Sequence, residues 1–359
     1  IICWRLRVPA AQYYLFLPSL TMANIHIVQL EHAVLGRRVG IVEEPRVILL
    51  DKDIRSTYQL VDNVVNGNLS FMESITTFRT TEFVSYDDPY SGKSHWRMLP
   101  PIDCPGNPTL CMLSGTGLTH KTSADNRQKM HSEKEANKPT DSMIMYLWGE
   151  EGGKPESGSV GVQPEWFYKG NGLGLRGHNA KLITPSFAED GGEEPEIAGI
   201  YFVSEEGEPY RVGFTQANEF SDHVMEKKNY LYLAPSKIRT CSIGPELIIT
   251  RDFKSFQGTV SIVRNSIELW SKTIHTGEDF ITHSLANLEH HHFKYPQHRL
   301  PGQLHIHFFG ADAFSFGAGI ALQSGDEMKI SFERMGRPLV NVLEIEDRRD
   351  ILHEVRFLV

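Results

Sequence analysis

The chain has 359 residues, of which 40% are hydrophobic and 23% charged. This is ordinary globular composition, enough for one large domain plus a smaller one. A formal net charge of −9 argues against a partner held by phosphate contacts and counterion release, so no nucleic acid is expected. Cys3, Cys104, Cys111 and Cys241 show no CxxC spacing; this disfavours a disulfide framework and a thiolate zinc site, and favours a reducing, cytoplasmic compartment.

Residues Ile1 to Thr21 begin without a methionine. Arg5 and Arg7 ahead of an apolar patch are the start of a signal-peptide pattern, but Pro9 and Pro18 bracket the patch and no clean small-residue cleavage site follows. The preferred reading takes Met22 as the natural start and 1–21 as an extension. No apolar run approaches the roughly 20 residues of a membrane span, so no membrane partner is expected.

Ile25 to Leu50 alternate and turn over at Gly36 and Glu44-Pro45, which predicts short strands. Ser56 to Phe78 carry Leu60, Val64, Val65, Leu69, Met72 and Ile75 at helical spacing, interrupted by Gly67, which predicts one or two helices. Asp87 to Pro108 is rich in Pro, Gly, Ser and Asp and reads as a linker. Beyond Cys111 strand-like runs dominate: Ala198–Val203, Tyr210–Phe214, Leu247–Thr250, Gly258–Val263, Leu304–Phe309 and Glu327–Glu333. Helices are expected over Ala124–Ala136, Asp222–Lys228 and Gly277–His290, and the polar stretch Lys134–Asp141 reads as a mobile lid. The pattern is α+β and mainly β, without βαβ alternation.

The chemistry-bearing signal is acidic. Glu194 and Glu196 are two apart, so on a strand both leave the same face. Glu196 runs straight into the apolar Ile197-Ala198-Gly199-Ile200, and buried carboxylates need a proton or a cation. Glu219 follows downstream, and three clustered carboxylates suit a hard divalent ion. The bland alternative is a solvated turn, since Glu189, Asp190 and Glu193 are close by. Two other signals are discounted. Gly170-Asn171-Gly172-Leu173-Gly174 lacks the spacing and βαβ context of a dinucleotide loop and reads as a tight loop. His290, His291, His292, His298, His305 and His307 crowd one region, with His305 and His307 on one strand face, but lack a third ligand at metal spacing.

The ordered motifs resemble the fumarylacetoacetate hydrolase superfamily from about Leu99 to Leu343. Leu99-Pro100-Pro101-Ile102, then Gly115-Thr116-Gly117-Leu118-Thr119-His120, resemble its opening segment and active-site histidine. Pro164 to Lys169 resembles P-x-x-F-x-K, Glu194-Pro195-Glu196 the E-x-E metal pair, and Gly213 to Glu219 the G-Y-T-x-x-N-D segment. Lys237 with Gly244-Pro245 resembles the active-site lysine and trailing G-P. Gly310-Ala311-Asp312, Gly325-Asp326-Glu327 and Met335-Gly336-Arg337-Pro338-Leu339 resemble the later turns.

The resemblance implies a rolled mixed β-sheet catalytic domain over residues 99–359, a small N-terminal α/β domain over 22–98, and a homodimer. It implies Mg²⁺, with Mn²⁺ and Ca²⁺ suited to the same oxygen donors, held by Glu194, Glu196 and Glu219. It further implies Lys237 and His120 as catalytic groups, with His131 second to His120, and Phe167, Lys169 and Gly310 lining a small-molecule 2-keto acid. Lys237 acts as a base only if its pKa is lowered; otherwise it stabilises charge, and His120 protonates a leaving hydroxyl.

Departures are specific. The third ligand is Glu219 where the family usually has Asp, Ser221-Asp222-His223-Val224 replaces S-A-R-D so that the arginine is missing, and Ala311 replaces a threonine. The family's hydrolases pair the histidine with a glutamate, and none stands at the expected offset after His120. The segments around Ser114–His120, Ser123–Arg127 and Trp166–Gly170 place the chain nearest the branch of 2-keto-3-deoxy sugar-acid (arabinonate-type) dehydratases. The alternatives are a hydrolase cleaving a C–C bond of an acylpyruvate or diketo sugar acid, and a non-catalytic sugar-acid-binding protein.

Overall fold

The structure, a computed structural model, describes residues 24–67, 69–131, 139–347, 349 and 351–358. The expected extension 1–21 and most of the expected lid Lys134–Asp141 lie outside the described residues.

The chain opens with β1 (Ile25–His32), β2 (Gly36–Glu43) and β3 (Arg46–Leu50). The apolar run beyond Ser56 forms two helices, α1 (Thr57–Asn66) and α2 (Phe71–Phe78), because each has its own serine cap. Ser70 and Glu73 bond reciprocally, as a capping box requires. Then follow β4 (Arg79–Ser85), the short α3 (Asp87–Tyr90) and β5 (Trp96–Met98). The expected linker Asp87–Pro108 is therefore built into the fold. β5 pairs with β1, and buried Gln29 donates to Pro100 O (2.6 Å) and Asp103 Oδ1 (3.0 Å) while accepting from Thr57 N (2.7 Å). A buried amide must satisfy its polar atoms, and here that fastens the loop.

Next come β6 (Cys111–Gly115), α4 (Lys121–His131), α5 (Asp141–Gly152), β7 (Phe167–Asn171), β8 (Leu175–Arg176) and β9 (Lys181–Thr184). The centre is β10 (Pro195–Val203), β11 (Pro209–Asn218), α6 (His223–Lys228), α7 (Leu233–Lys237), β12 (Cys241–Ile243) and β13 (Leu247–Ile249). The chain continues through β14 (Phe256–Arg264), β15 (Ile267–Thr276), α8 (Leu285–Phe293), β16 (Leu304–Phe308), β17 (Glu327–Phe332) and β18 (Leu339–Ile345). The helix expected over Gly277–His290 starts later. Gly277 is left-handed at φ 100°, the backbone there turns back onto Phe253 and Lys254, and Ser284 caps α8.

Two sheets result. A 13-stranded sheet runs β4-β3-β2-β1-β13-β11-β10-β16-β6-β7, with β5, β8 and β12 beside this path; a five-stranded sheet runs β15-β14-β17-β18-β9. β1 pairs with β13, so the N-terminal strands continue the sheet that carries β10 and β11. β10 is buried along its whole length. Its Ala198, Ile200 and Phe202 join Leu60, Val61 and Ile75 in one core, and Ile197, Tyr201 and Val203 join Val260, Ile330 and Leu339 in the core between the sheets. The period-two pattern of a strand thus feeds both faces.

The histidine cluster is a packed one. His292 Nε2 meets His305 Nδ1 at 2.9 Å, and His307 bonds Ser114 (2.9 Å) and Thr116 (2.8 Å). Burial pushes His305 and His307 down to about 3, and His120, His178 and His283 to about 4. In the unfolded chain these groups titrate near ~6.5, so between the two values the unfolded state binds more protons. Their stabilisation is complete above the unfolded value and is lost as pH falls. His223, which is raised, runs the other way and is outnumbered. Equilibrium denaturation at pH 7 and pH 5 should show a loss of about 2 kcal/mol for each of His305 and His307. A stability flat across that interval would refute the account.

Candidate metal centre

The antiparallel pairing of β10 with β11 assembles the acidic trio. Pro195 stands opposite Asn218 and Glu196 opposite Ala217, so the start of one strand meets the end of the other. Glu219 N donates to Glu194 O (2.9 Å), and Glu194 N to Asn218 Oδ1 (3.2 Å). Ligand oxygens of Glu194, Glu196 and Glu219 lie within 4.8 Å of one another, and all three residues are buried. Phe220, just after Glu219, sits at φ 45°, a conformation that costs a bulky residue about 1–3 kcal/mol and is found where function holds the backbone.

On the other side of β10 runs β16, and Gly310 beyond it donates its N–H to Glu196 Oε2 (2.7 Å). Gly310 has φ 96°, and a Cβ there would lie 2.2 Å from Thr119 Oγ1, so glycine is required. This turn joins the trio to the Thr116–His120 segment, which β6 delivers alongside β16.

Two buried lysines face the trio. Lys237, ending α7, places Nζ 2.6 Å from Glu194 Oε1, 2.7 Å from Glu219 Oε2, 2.9 Å from Ser221 Oγ and 3.2 Å from Glu226 Oε1. Its Nζ also lies 5.0 Å from the Phe167 ring centre, a cation–π contact. Lys169 Nζ is 2.6 Å from Glu219 Oε1 and donates to Phe220 O (2.8 Å) and Lys237 O (2.9 Å). Lys169 is thereby saturated by the protein and positions Glu219.

The electrostatics follow. Burial alone would lower Lys237, but Glu194, Glu219 and Glu226 override it and hold the ammonium well above its usual range. The lowered pKa that a lysine base needs is not met here, and Lys237 carries a proton. Burial would raise Glu194; Lys237 and His223 hold it well below the carboxylate range instead. Glu196 is the opposite case: burial first, then Glu219 and Glu194, push it well above. The nearest oxygen cage is thus short of positive charge at Glu196. A divalent cation fits these residues: the donors are all carboxylate oxygens within 4.8 Å of one another, and the hydrogen bond that Glu196 accepts is from a single backbone N–H, that of Gly310.

His120 is hydrogen-bonded to Thr119 and not to the trio. Thr119 Oγ1 gives its one proton to Phe309 O (2.7 Å), so it accepts from His120 Nδ1 (2.9 Å), leaving Nε2 buried without a partner. Burial lowers this histidine to about 4, with Asp312 the charge opposing the shift. At neutral pH it is an uncharged acceptor, which does not suit a proton donor. Nothing is described of the side chain of His131.

Several residues of the site were not singled out from sequence. Glu165, just before β7, accepts from Arg127 Nη1 (3.0 Å) and Tyr230 OH (2.7 Å), while its Oε2 is buried and unpartnered. A Cβ at Gly117 would fall 1.8 Å from that Oε2, which explains the second glycine of Gly115-Thr116-Gly117. Arg127 also reaches Glu226 (3.5 Å), and Glu226 accepts from Ser236 Oγ (2.8 Å). His223 donates to Glu194 Oε1 (3.1 Å), and Ser315 donates its N–H and hydroxyl to Glu193. Glu165 stood inside the recognised Pro164–Lys169 segment; Glu226 and His223 stood on an expected helix whose inward face the sequence did not mark.

No family model matches the sequence, and no curated protein matches it. Solved structures do match in three dimensions. A 2-keto-3-deoxyarabinonate dehydratase superposes at TM-score 0.66 with 19% identity, covering 90% of this chain and 100% of its own. A 2-keto-3-deoxy-D-arabinonate dehydratase complexed with magnesium and 2,5-dioxopentanoate gives 0.60 at 18% identity, with 90% and 100% covered. A 2-hydroxyhepta-2,4-diene-1,7-dioate isomerase from Mycobacterium marinum gives 0.55 at 13% identity, again over 90% and 100%. These likenesses show a shared fold. Among the described residues no helix is long and apolar enough to cross a membrane.

Lys237→Met should leave Glu194, Glu219 and Glu226 buried without their shared cation, at a cost of about 3–5 kcal/mol. Thermal melts should show that loss in metal-free protein, with a divalent cation raising the variant's Tm more than that of the wild type. Unchanged stability would mean that Lys237 does not neutralise the cluster.

Proposed function

We propose that this chain is a metal-dependent lyase that removes water from a 2-keto-3-deoxy sugar acid of the arabinonate type. The observation that carries the reading is the buried trio Glu194, Glu196 and Glu219, next to a protonated Lys237 held 2.6 Å from Glu194. A divalent ion, magnesium by likeness to the complexed neighbour, supplies Lewis-acid polarisation and a template for the keto acid when bound.

The chain's own groups divide the proton transfers. Glu165 has an acceptor oxygen with no donor and takes the proton from C3; the electron pair moves towards the C2 oxygen. Lys237 stabilises that charge. The C4–O bond then breaks as the C3–C4 double bond forms, and the hydroxyl leaves as water with a proton from Lys237. Tautomerisation of the remaining allylic alcohol gives an aldehyde at C5, so 2-keto-3-deoxyarabinonate minus water is 2,5-dioxopentanoate, the compound bound in the neighbour. C–C hydrolysis would need a base aimed at water, and His120 has no glutamate bonded to it to serve as one.

Incubation with 2-keto-3-deoxyarabinonate and MgCl₂ should yield 2,5-dioxopentanoate, while acylpyruvates should not be cleaved. Glu196→Gln should lose both Mg²⁺ binding and turnover. Glu165→Gln should keep Mg²⁺ binding, measured by titration calorimetry, and lose about 10²–10⁴-fold in turnover. Full Mg²⁺ affinity in Glu196→Gln would place the metal elsewhere; cleavage of acylpyruvate without water loss from the sugar acid would make the protein a hydrolase.

A further inference from the structure

His223 stands where the family resemblance has an arginine, and the structure gives it a definite place. It is 2% exposed. Asp222 caps α6 through Met225 N (2.9 Å), fixing the first turn from which the imidazole projects. One ring face stacks on Phe314 (4.7 Å between centres, planes 10° apart), and Phe316 tilts against it at 5.2 Å. Nδ1 has no hydrogen-bond partner and lies 4.0 Å from Asp190 Oδ2. Gly192 leaves room for that edge, since a Cβ there would be 2.5 Å from Nδ1.

The working edge is Nε2, which donates to Glu194 Oε1 at 3.1 Å. The same oxygen takes Lys237 Nζ at 2.6 Å. Two donors on one oxygen fix the carboxylate plane and leave Oε2 as the free ligand atom. Lys237 alone would not do this, because its ammonium is shared among Glu194, Glu219 and Glu226. The aromatic side of the ring is anchored to the same sheet end: Ser315, between Phe314 and Phe316, holds Glu193, and Gly310, at the start of that turn, holds Glu196. One turn therefore braces the whole acidic stretch, and His223 is its contact with Glu194.

We propose that His223 is a positioning residue for the metal centre, which presets the Glu194 carboxylate for a divalent cation. The inference rests on the metal-centre reading above. Partners that orient metal ligands typically change affinity by about 10–100-fold when removed.

The test is calorimetric titration of MgCl₂ into wild type, His223→Ala, His223→Gln and Phe314→Ala, with melts confirming folded protein. His223→Ala should weaken Mg²⁺ by about 10–100-fold, and His223→Gln, whose amide donates from a similar place, should recover most of the affinity. Phe314→Ala, which keeps the imidazole and removes its stack, should fall between wild type and His223→Ala. In turnover, the Mg²⁺ needed for half-maximal rate should rise while kcat at saturating Mg²⁺ is retained. Wild-type affinity in folded His223→Ala, or no rescue by Gln relative to Ala, would overturn the inference. If His223→Ala does not fold, Gln and Phe314→Ala decide, and wild-type affinity in Phe314→Ala overturns it. If wild type binds no Mg²⁺, the metal-centre reading itself fails.

Discussion

The ammonium of Lys237 is the constraint around which this molecule is arranged. It is almost wholly buried and touches Glu194, Glu219 and Glu226 together. Without it three carboxylates, one just before β10, one just after β11 and one on α6, would face one another in a dry site, at a cost in uncompensated buried charge. With it, β10, β11, α6 and α7 are joined through one cation. Phe167 beneath the ammonium excludes water from one side, and Lys169 repeats the device on Glu219 from β7. The fold therefore concentrates negative charge and then neutralises it only in part. Glu196, which receives one backbone N–H from Gly310 and no lysine contact, is where the deficit remains.

How much of this was readable from residue order depends on the range of the interaction. Glu194 and Glu196 could be assigned to one face because a strand has a period of two and an apolar run follows at once. That Glu219 closes the trio needed the hairpin between β10 and β11, which the resemblance supplied and the pairing of Pro195 with Asn218 displays. Glu165, Arg127, Glu226 and His223 were out of reach for a physical reason. They reach the site from α4, α6 and the loop before β7, and the placement of short helices over a sheet end is fixed by long-range ion pairs rather than by any local period. The same limit explains Asp87–Pro108. Its Pro and Gly content describes a loop correctly, but the polar demands of buried Gln29, 71 residues before Pro100 and 74 before Asp103, decide that the loop is fastened. At α8 the local signal was misleading: the apolar spacing extends back to Gly277, yet a left-handed glycine and the Ser284 cap set the true start.

The two histidine populations show how environment divides one residue type. His305 of β16 bonds His292 of α8, and His307 of β16 bonds Ser114 and Thr116, so these buried rings stay neutral and pack between α8, β16 and β6. His120 is similarly neutral, and its bonded hydroxyl leaves Nε2 as an acceptor. His223 is as deeply buried as these, but Glu194 and other acidic groups beside it reverse the effect of burial. A histidine count could not separate these cases, because what matters is whether the carboxylate or the imidazole neighbour lies within hydrogen-bonding reach.

That contrast bears on the dehydration proposed above. Water loss from a β-hydroxy keto acid needs an acceptor near C3, a proton for the departing hydroxyl, and a sink for charge at the C2 oxygen. Glu165 has a free oxygen, Lys237 holds a proton, and the trio offers a cation site. Hydrolysis needs a further group to activate a water molecule. The residue nearest to that role by sequence order, His120, is instead bonded to Thr119 through Nδ1, with Asp312 the charge beside it and no carboxylate hydrogen-bonded to it. On the proposed reading, Glu165, Lys237 and the acidic trio answer the three requirements of elimination, and His120 has no carboxylate hydrogen-bonded to it.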